Sequence, residues 1–203
     1  MDAFSSSVRE ITGHQLSLGS IVVHGNTDTG ILRDAFRDAS VADQDWQPKQ
    51  EEILERIRAT VRERQHLMKI VLYPGVLEML QYLRAKGKTL GVATGNLEQI
   101  GWLKIERAGL RDWFSFGGFS DRHAVRSEMI RQAADQARAM AGGKATVCVV
   151  GDTPYDVAAA KANSLPTIAV ATGVYSFDEL QRHSPEVCTS TLGALLAHTA
   201  AGG

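Results

Sequence analysis

Apolar residues recur at helical spacing through the first seventy positions, where strand-like runs are scarce. The stretch 31–36 has this spacing, and residues 50–68 predict a charged amphipathic helix with Ile53, Leu54 and Ile57 in its buried stripe. The polar stretch 39–48 between them predicts a loop. The chain also starts in a segment shaped like a helix. This first part therefore predicts a small helical unit.

Beyond residue 70, short apolar runs alternate with helical stretches. The pattern predicts helices at 76–85, 97–108, 127–140 and from 158 onward, and strands at 89–93, 114–119, 145–150 and 167–170. These runs are apolar throughout, which is typical of a parallel sheet buried on both faces. The predicted fold class is α/β, a doubly wound, Rossmann-like parallel sheet with a small helical cap. We expect the cap at residues 1–70 and the core at 71–203.

Composition excludes several classes of protein. The 203 residues are 44% hydrophobic and carry a formal net charge of −1, so wholesale disorder and a basic nucleic-acid surface are not expected. The apolar runs are too short to span a membrane, and no signal peptide is visible. Cys148 lies in an apolar run typical of a buried thiol. We expect a cytoplasmic protein without a nucleic-acid or membrane partner; the sequence does not specify its oligomeric state.

Small polar residues follow each predicted strand. Right-handed crossovers bring the carboxyl ends of parallel strands to one edge of the sheet, and ligands bind outside that edge. A single Thr-Gly pair is weak evidence, since a turn also needs such residues. Four polar strand ends on one edge predict a binding site: Thr94-Gly95-Asn96, Ser120-Asp121, Gly151-Asp152-Thr153 and Thr172-Gly173.

Asp152 and Asp156 are the candidate metal ligands. Asp152 ends the strand at 145–150, and Asp156 follows four residues later. Mg²⁺ prefers a few carboxylates together with water and phosphate oxygens, so this pair can hold one ion. In the alternative interpretation Asp152 belongs to a turn and Asp156 favours a helix amino terminus.

Thr94, Gly95 and Asn96 are the candidate phosphate-binding residues. A hydroxyl and two amides at a helix start suit a phosphate oxygen, although the same residues could cap the helix at Leu97. A phosphate also needs a cation, and Arg122 and Arg126 are both candidates. Their alternative is an exposed helix start.

Several other motifs are absent. Gly142-Gly143-Lys144 resembles a P-loop only superficially, because it precedes a strand and lacks the following Ser or Thr. The sequence holds no Gly-x-Gly-x-x-Gly, no Gly-x-Ser-x-Gly and no histidine cluster with metal-ligand spacing.

Together these motifs resemble the haloacid dehalogenase-like hydrolases, more narrowly the phosphoglycolate phosphatase-like group. Thr94, in residues 92–96, resembles the second motif of that family, and residues 151–156 resemble the fourth, which holds Mg²⁺. Residues 73–76 resemble the return from cap to core. The resemblance implies a Mg²⁺-dependent phosphatase that acts on a small phosphorylated metabolite, such as phosphoglycolate, through an aspartyl-phosphate intermediate.

The segment 24–28 is similar to a cap segment that reaches toward the substrate in this group. The resemblance makes Asn26, Thr27 and Asp28 candidate substrate-contacting residues. An ordinary turn before the helix at Ile31 is the alternative.

The sequence departs from the family pattern at two places. The third motif normally supplies a lysine, and the nearest equivalent is Arg126, which keeps the charge but has a planar shape. The first motif, Asp-x-Asp-Gly-Thr, with the nucleophile and the acid/base, is absent: Asp2 follows no strand, and Asp28 belongs to the cap-like segment. We therefore expect no catalytic residue in this chain, a start within the first cap helix, and little or no turnover.

The absent motif also implies an absent central strand. Such a strand buries four or five apolar side chains at roughly 1.5–3 kcal/mol each, comparable with a whole-domain stability of about 5–15 kcal/mol. We expect a replacement strand, a partner chain or a different packing. The run 20–23, Ser-Ile-Val-Val, is the strand-like run of the amino-terminal part.

Two other functions stay open. One is a non-catalytic protein of the same fold that binds phosphate or Mg²⁺ in a regulatory role. The other is an unrelated doubly wound nucleotide-binding module, which would need a glycine-rich first turn that the sequence lacks.

Overall fold

The computed structural model describes residues 3–201, with side chains up to residue 198, so Asp2 lies outside the described residues. The helices are α1 (Ala3–Thr12), α2 (Asp28–Asp38), α3 (Asp43–Trp46), α4 (Gln50–Glu63), α5 (Val76–Ala85), α6 (Glu98–Arg107), α7 (Arg126–Ala141), α8 (Pro154–Ala162), α9 (Phe177–Arg182) and α10 (Leu192–Ala201). The strands are β1 (Gly91–Ala93), β2 (Phe116–Gly118), β3 (Val149–Gly151), β4 (Thr167–Val170) and β5 (Val187–Thr189). None of these helices is long and apolar enough to cross a membrane.

The predicted elements are present, with differences at their ends. α5 and β4 have the predicted bounds, whereas α4 ends at Glu63 and a short 3-10 helix follows at Gln65–Leu67. The prediction of a plain loop at 39–48 was wrong, because α3 lies within it. Trp46, at the end of α3, is buried and stacks on Phe36 with 4.6 Å between ring centroids. Packing of this one side chain therefore outweighs the polar composition of the segment.

The amino-terminal helices share one apolar core with α6. Its buried members come from α1 to α4 and their loops, together with the residue before α6 and one residue within it: Val8, Leu16, Leu32, Ala35, Phe36, Trp46, Ile53, Leu54, Ile57, Leu97 and Ile100. Since Leu97 and Ile100 follow the first strand, the helical unit packs directly against the α/β part of the chain.

All strand pairs in the described part of the chain are parallel. β1 pairs with β2, with Val92 opposite Gly117, and β3, β4 and β5 pair in that order. Helix α7 packs on β1 and β2, and α8 packs on β3 and β4. This arrangement confirms the α/β class, but the strands form two sheets rather than one.

The two sheets are separated at β1 and β3. Two consecutive residues lie between their carboxyl ends: Gly25 faces Thr153 and Tyr155, just after β3, and the carbonyl oxygen of Asn26 lies against Gly95, just after β1. Because one backbone segment contacts residues that follow both strands, the gap between the carboxyl ends of β1 and β3 is about the width of one extended strand. Residues 20–23 form no strand, so they do not fill the interval.

One face of the β3–β5 sheet is only partly covered. Val150 and Val187 are both neighbours of Ile168 across the sheet, and they are 52% and 40% exposed. Cys148 is exposed as well, so the expectation of a buried thiol was wrong. Parallel sheets are usually covered on both faces, and here the covering layer is incomplete.

Replacing Phe36 by Ala tests the amino-terminal core. Phe36 is fully buried and stacked on Trp46, so we expect the free energy of unfolding to fall by about 3–5 kcal/mol. The measurement is urea unfolding followed by circular dichroism. Phe177→Ala is the matched control, because that ring is 42% exposed and should change stability by less than about 1 kcal/mol. Equal losses in the two variants would contradict the assigned core.

Candidate phosphate and metal site

The turn from β3 to α8 is organised by a capping box. Thr153 is the N-cap of α8: its hydroxyl accepts a hydrogen bond from the Asp156 amide at 3.2 Å, and the Asp156 carboxylate accepts one from the Thr153 amide at 3.0 Å. Pro154 occupies the first helical turn, where a missing N–H has no cost. The helix-terminus role that the sequence left open for Asp156 is therefore present.

Both carboxylate oxygens of Asp156 are engaged. Arg126 donates to Oδ1 through Nε at 3.0 Å and Nη2 at 2.6 Å, while Oδ2 accepts from the Asp152 amide and the Thr153 hydroxyl. Asp156 is 4% exposed, so this is a buried ion pair. Arg126 lies at the site, whereas Arg122 is exposed. Of the two candidate cations, the geometry favours Arg126.

Asp152 is placed differently from Asp156. Its carboxylate lies against Gly173, where an added Cβ would overlap Oδ2 and push the Asp152 side chain aside. Burial raises the pKa of Asp152, and the negative charge of Asp156 raises it further, against the opposing effect of Arg126 and His24. A cation beside Asp152 would offset both unfavourable effects.

The donor set at this edge fits Mg²⁺ through Asp152. This ion commonly takes one or two carboxylates and completes its shell with water and substrate phosphate. Among the side chains that the structure describes, no group of three acidic, histidine or cysteine residues converges on one point. Asp156 is already fully hydrogen-bonded, so its contribution in this geometry is to hold Arg126 and the Asp152 backbone.

The start of α6 is capped by two carboxylates from elsewhere in the chain. The Leu97 amide donates to Asp28 at 2.8 Å, and the Glu98 amide donates to Asp121 at 2.7 Å. Thr94 does not cap the helix, since its hydroxyl accepts from the Asn96 amide at 3.3 Å. The capping alternative for Thr94 is therefore not what the structure shows.

Residues Gly25–Asp28, which we call the strap, lie across both candidate motifs. The Asp28 amide donates to the Gly95 carbonyl at 2.6 Å, and the Thr27 hydroxyl donates to the Ala124 carbonyl at 3.0 Å. Nη1 of Arg126 donates to the Gly25 carbonyl at 3.1 Å. The Asn26 amide donates to the Val23 carbonyl, which closes a turn. The segment therefore forms a turn and also extends toward the strand ends.

Asp28 is 6% exposed, and the hydrogen-bond partners of its carboxylate lie at the start of α6. Besides the Leu97 amide, it accepts from the Asn96 side-chain amide at 3.3 and 3.4 Å. Burial raises the pKa of Asp28, while these hydrogen bonds and the positive charge of Lys104 lower it in part. The negative charge of Asp121 adds to the increase. The charged form of Asp28 is therefore disfavoured at this position.

A buried arginine links the helical unit to the same edge. Arg58, in α4, is 8% exposed and donates to Glu51 at 2.8 Å, Glu55 at 3.1 Å and Asp121 at 2.9 Å. Because Asp121 also caps α6, one carboxylate joins α4, the end of β2 and the start of α6. This contact keeps the helical unit in register with the candidate site.

The sequence did not indicate the roles of three residues that contribute to this edge: Thr153, Asp121 and Lys104. Thr153 could have been found, since Thr-x-x-Asp before a helix is a capping signature. Asp121 was seen only as a polar strand end, and its contacts with Arg58 and Glu98 depend on tertiary structure. Lys104 donates to Asn96 at 2.7 Å, which helical spacing alone does not reveal.

The sequence matches the haloacid dehalogenase-like hydrolase family over residues 29–170, which is more than half of the chain. The chain therefore belongs to the haloacid dehalogenase-like hydrolases, as its motifs predicted. All four strand ends discussed above lie within or next to the matched range.

Curated relatives carry phosphatase names. The Dickeya dadantii protein named "Probable phosphatase IndB" is 28% identical over 150 residues, which are 70% of this chain and 65% of the relative. The phosphoglycolate phosphatase of Mesorhizobium japonicum is 29% identical over 128 residues, covering 63% of this chain and 56% of the relative. The chain thus spans less than two thirds of the length of these two relatives. The phosphoglycolate phosphatase of Synechococcus elongatus is 31% identical over 152 residues, covering 74% and 68%.

Solved structures share the fold. A predicted phosphoglycolate phosphatase from Haemophilus somnus superposes with a TM-score of 0.64 at 17% identity, over 97% of this chain and 88% of the other. A hydrolase from Pseudomonas syringae superposes with a TM-score of 0.61 at 20% identity, over 87% and 79%. At these identities the likeness concerns the fold alone.

Removing either partner of the Arg126–Asp156 pair should have unequal effects. Asp156→Ala leaves the arginine charge unpaired and removes the capping box, so we expect a loss of about 3–5 kcal/mol in unfolding free energy. In Arg126→Ala the carboxylate keeps its bonds from Asp152 and Thr153, and the expected loss is about 1–3 kcal/mol. Urea unfolding of both variants measures the difference. A larger loss in Arg126→Ala would contradict the central role of Asp156.

The raised pKa of Asp28 predicts a pH-dependent stability. The folded chain holds this proton more tightly than the unfolded chain, so stability decreases as pH rises from the ordinary aspartate pKa through the raised one. Asp28→Asn removes this decrease. We expect the variant to match the wild type below about pH 4 and to gain relative stability at pH 7.

Urea unfolding at both pH values measures this effect. Asp45→Asn, an exposed position in α3 with the same change of charge, is the control. A stability difference for Asp28→Asn that is constant with pH would show that the charge of Asp28 is not disfavoured.

Proposed function

We propose that this edge binds the phosphate group of a small phosphorylated metabolite together with Mg²⁺, as part of a phosphoric monoester hydrolase. The observation that carries the proposal is the placement of Thr94, Arg126 and Asp152 around one edge, each next to a different strand or helix end. The three supply a hydroxyl, a fixed cation and a carboxylate. These groups serve a phosphate and its metal ion.

In this proposal each side chain has a separate task. The Thr94 hydroxyl donates to a phosphate oxygen, and Arg126 offsets the negative charge while Asp156 holds its guanidinium in position. Asp152 binds Mg²⁺, which when present neutralises charge on the phosphoryl group. The helical unit 1–70 acts as the cap, with Asn26, Thr27 and Asp28 facing the substrate.

The phosphoglycolate phosphatases among the relatives support a small phosphorylated carboxylic acid as the substrate class. Hydrolysis through an aspartyl-phosphate would need a nucleophilic carboxylate. In the described residues Asp28, Asp121 and Asp156 are all hydrogen-bonded at this edge, and Asp152 is assigned to the ion. For this chain we therefore propose binding of phosphate and Mg²⁺. Hydrolysis is proposed for the architecture of the family.

A non-catalytic phosphate-binding protein is the second candidate. The observation that favours it is the absence of Asp-x-Asp-Gly-Thr from the 203 residues. The two candidates share the binding site and differ only in turnover, so one set of measurements separates them.

The binding site is tested by titrating the chain with inorganic phosphate in the presence of Mg²⁺, using isothermal calorimetry. We expect Thr94→Val to weaken phosphate binding by about 10- to 100-fold, because a hydrogen bond to a charged group is lost. Arg126→Lys should weaken it as well, since lysine lacks the planar fork of arginine. Arg122→Lys is the matched control and should bind like the wild type.

Metal binding and turnover are measured on the same proteins. Mg²⁺ should raise the unfolding temperature of the wild type and not that of Asp152→Asn. We expect this chain to hydrolyse p-nitrophenyl phosphate only at the background rate. Rapid hydrolysis would exclude the non-catalytic candidate. Phosphate binding that is unaffected by Thr94→Val and Arg126→Lys would contradict the site.

A further inference from the structure

The strap occupies Arg126, which is assigned to phosphate, and the helix amide that directly follows the candidate residues Thr94 to Asn96. The Asp28 carboxylate takes the Leu97 amide at the start of α6, at 2.8 Å. The Gly25 carbonyl takes Nη1 of Arg126, at 3.1 Å. Four consecutive residues therefore supply two acceptors, one to each side of the site.

The Asp28 carboxylate has the charge and the hydrogen-bonding capacity of a phosphate oxygen. Helix amino termini bind anions through free amides and the helix dipole, and a bound carboxylate uses those amides up. At α6 the first two amides are taken by Asp28 and Asp121. The strap also closes over Gly95, because the Asn26 carbonyl lies against its Cα. A phosphate group and the strap cannot both contact this helix end.

The contacts that hold the strap are polar. The Asp28 amide binds the Gly95 carbonyl, the Thr27 hydroxyl binds the Ala124 carbonyl, and the Asp28 carboxylate also accepts from the Asn96 side chain. Gly25, where the strap begins, has φ of +82°, a left-handed conformation that glycine adopts without strain. The residues just before it, Val22 to His24, are exposed and outside any helix or strand. Gly25 can therefore act as the pivot of the strap, and release of Asp28, the first residue of α2, would open only the first turn of that helix.

One buried group next to the strap is unsatisfied in this arrangement. The Ser120 side chain is fully buried, and its hydroxyl has no hydrogen-bond partner in the described part of the chain. The Ser120 amide donates to the Asn96 carbonyl, and the Ser120 carbonyl accepts from the Thr29 hydroxyl, so its backbone joins the start of α6 to the start of α2. Burying a hydroxyl without a partner is unfavourable, which favours an alternative arrangement of this edge.

We propose that the strap is an internal competitor for the phosphate site: phosphate displaces Asp28 from the start of α6 and Gly25 from Arg126, so that phosphate binding and strap release are coupled. This inference rests on the proposed phosphate site. It adds that the site is blocked in the resting chain by the chain's own carboxylate.

The experiment compares inorganic phosphate binding by the wild type, Asp28→Ala and Asp45→Ala, in Mg²⁺, by isothermal calorimetry. Alanine removes both the charge and the acceptor that occupy the Leu97 amide. We expect Asp28→Ala to bind phosphate about five-fold or more tightly than the wild type, the range of a charge at a helix end. Asp45→Ala makes the same change on an exposed part of the helical unit and should bind like the wild type.

Amide hydrogen exchange gives a second measurement that does not depend on a variant. Saturating phosphate should speed exchange at the Asp28 amide of the wild type, because its bond to Gly95 opens, and slow exchange at the Leu97 amide. Thr94→Val distinguishes the two proposals. If Thr94→Val weakens phosphate binding while Asp28→Ala binds no more tightly and the Asp28 amide stays protected, the strap is not a competitor and the phosphate site stands. If no variant binds phosphate, the site itself is wrong and the competitor is overturned with it.

Discussion

A single buried carboxylate, that of Asp156, holds together the segments around the candidate site. It accepts from Arg126 at the start of α7, from the Asp152 and Thr153 amides after β3, and from the Thr153 hydroxyl. Through Arg126 it also reaches the strap at Gly25. Burying a carboxylate is costly unless hydrogen-bond donors replace the water that it loses. The position of the candidate cation, the metal-binding carboxylate and the strap therefore follows from satisfying one charge.

The contacts between the helical unit and the α/β part follow the same rule. Asp28 and Asp121 cap neighbouring amides of α6, and Asp121 in turn pairs with Arg58. Each buried charge has a partner on a different element, so the helical unit cannot shift by a turn without leaving one unpaired. Apolar packing of Leu97 and Ile100 holds the same interface but is not directional. The polar contacts give this interface its register.

The sequence was sufficient to predict the α/β order of the elements and the edge that carries the candidate site. Apolar runs and polar strand ends identified α/β order, Thr94, Asp152 and the pair of candidate arginines. Periodicity did not identify α3, because its one buried residue, Trp46, is fixed by stacking on Phe36. It also did not identify the pairing of Arg126 with Asp156, since these residues are thirty positions apart. Local patterns record which groups are present, and long-range neutralisation of charge determines which of them remain free.

The interval between β1 and β3 has a consequence for behaviour in solution. Each of these strands presents a row of main-chain donors and acceptors on the side where no strand lies, and Val150 exposes an apolar side chain close by. Unpaired edges of this kind are templates for association with other extended chains. In the described part of the chain, these two strand edges are therefore the places where an extended segment of another chain would add to the fold.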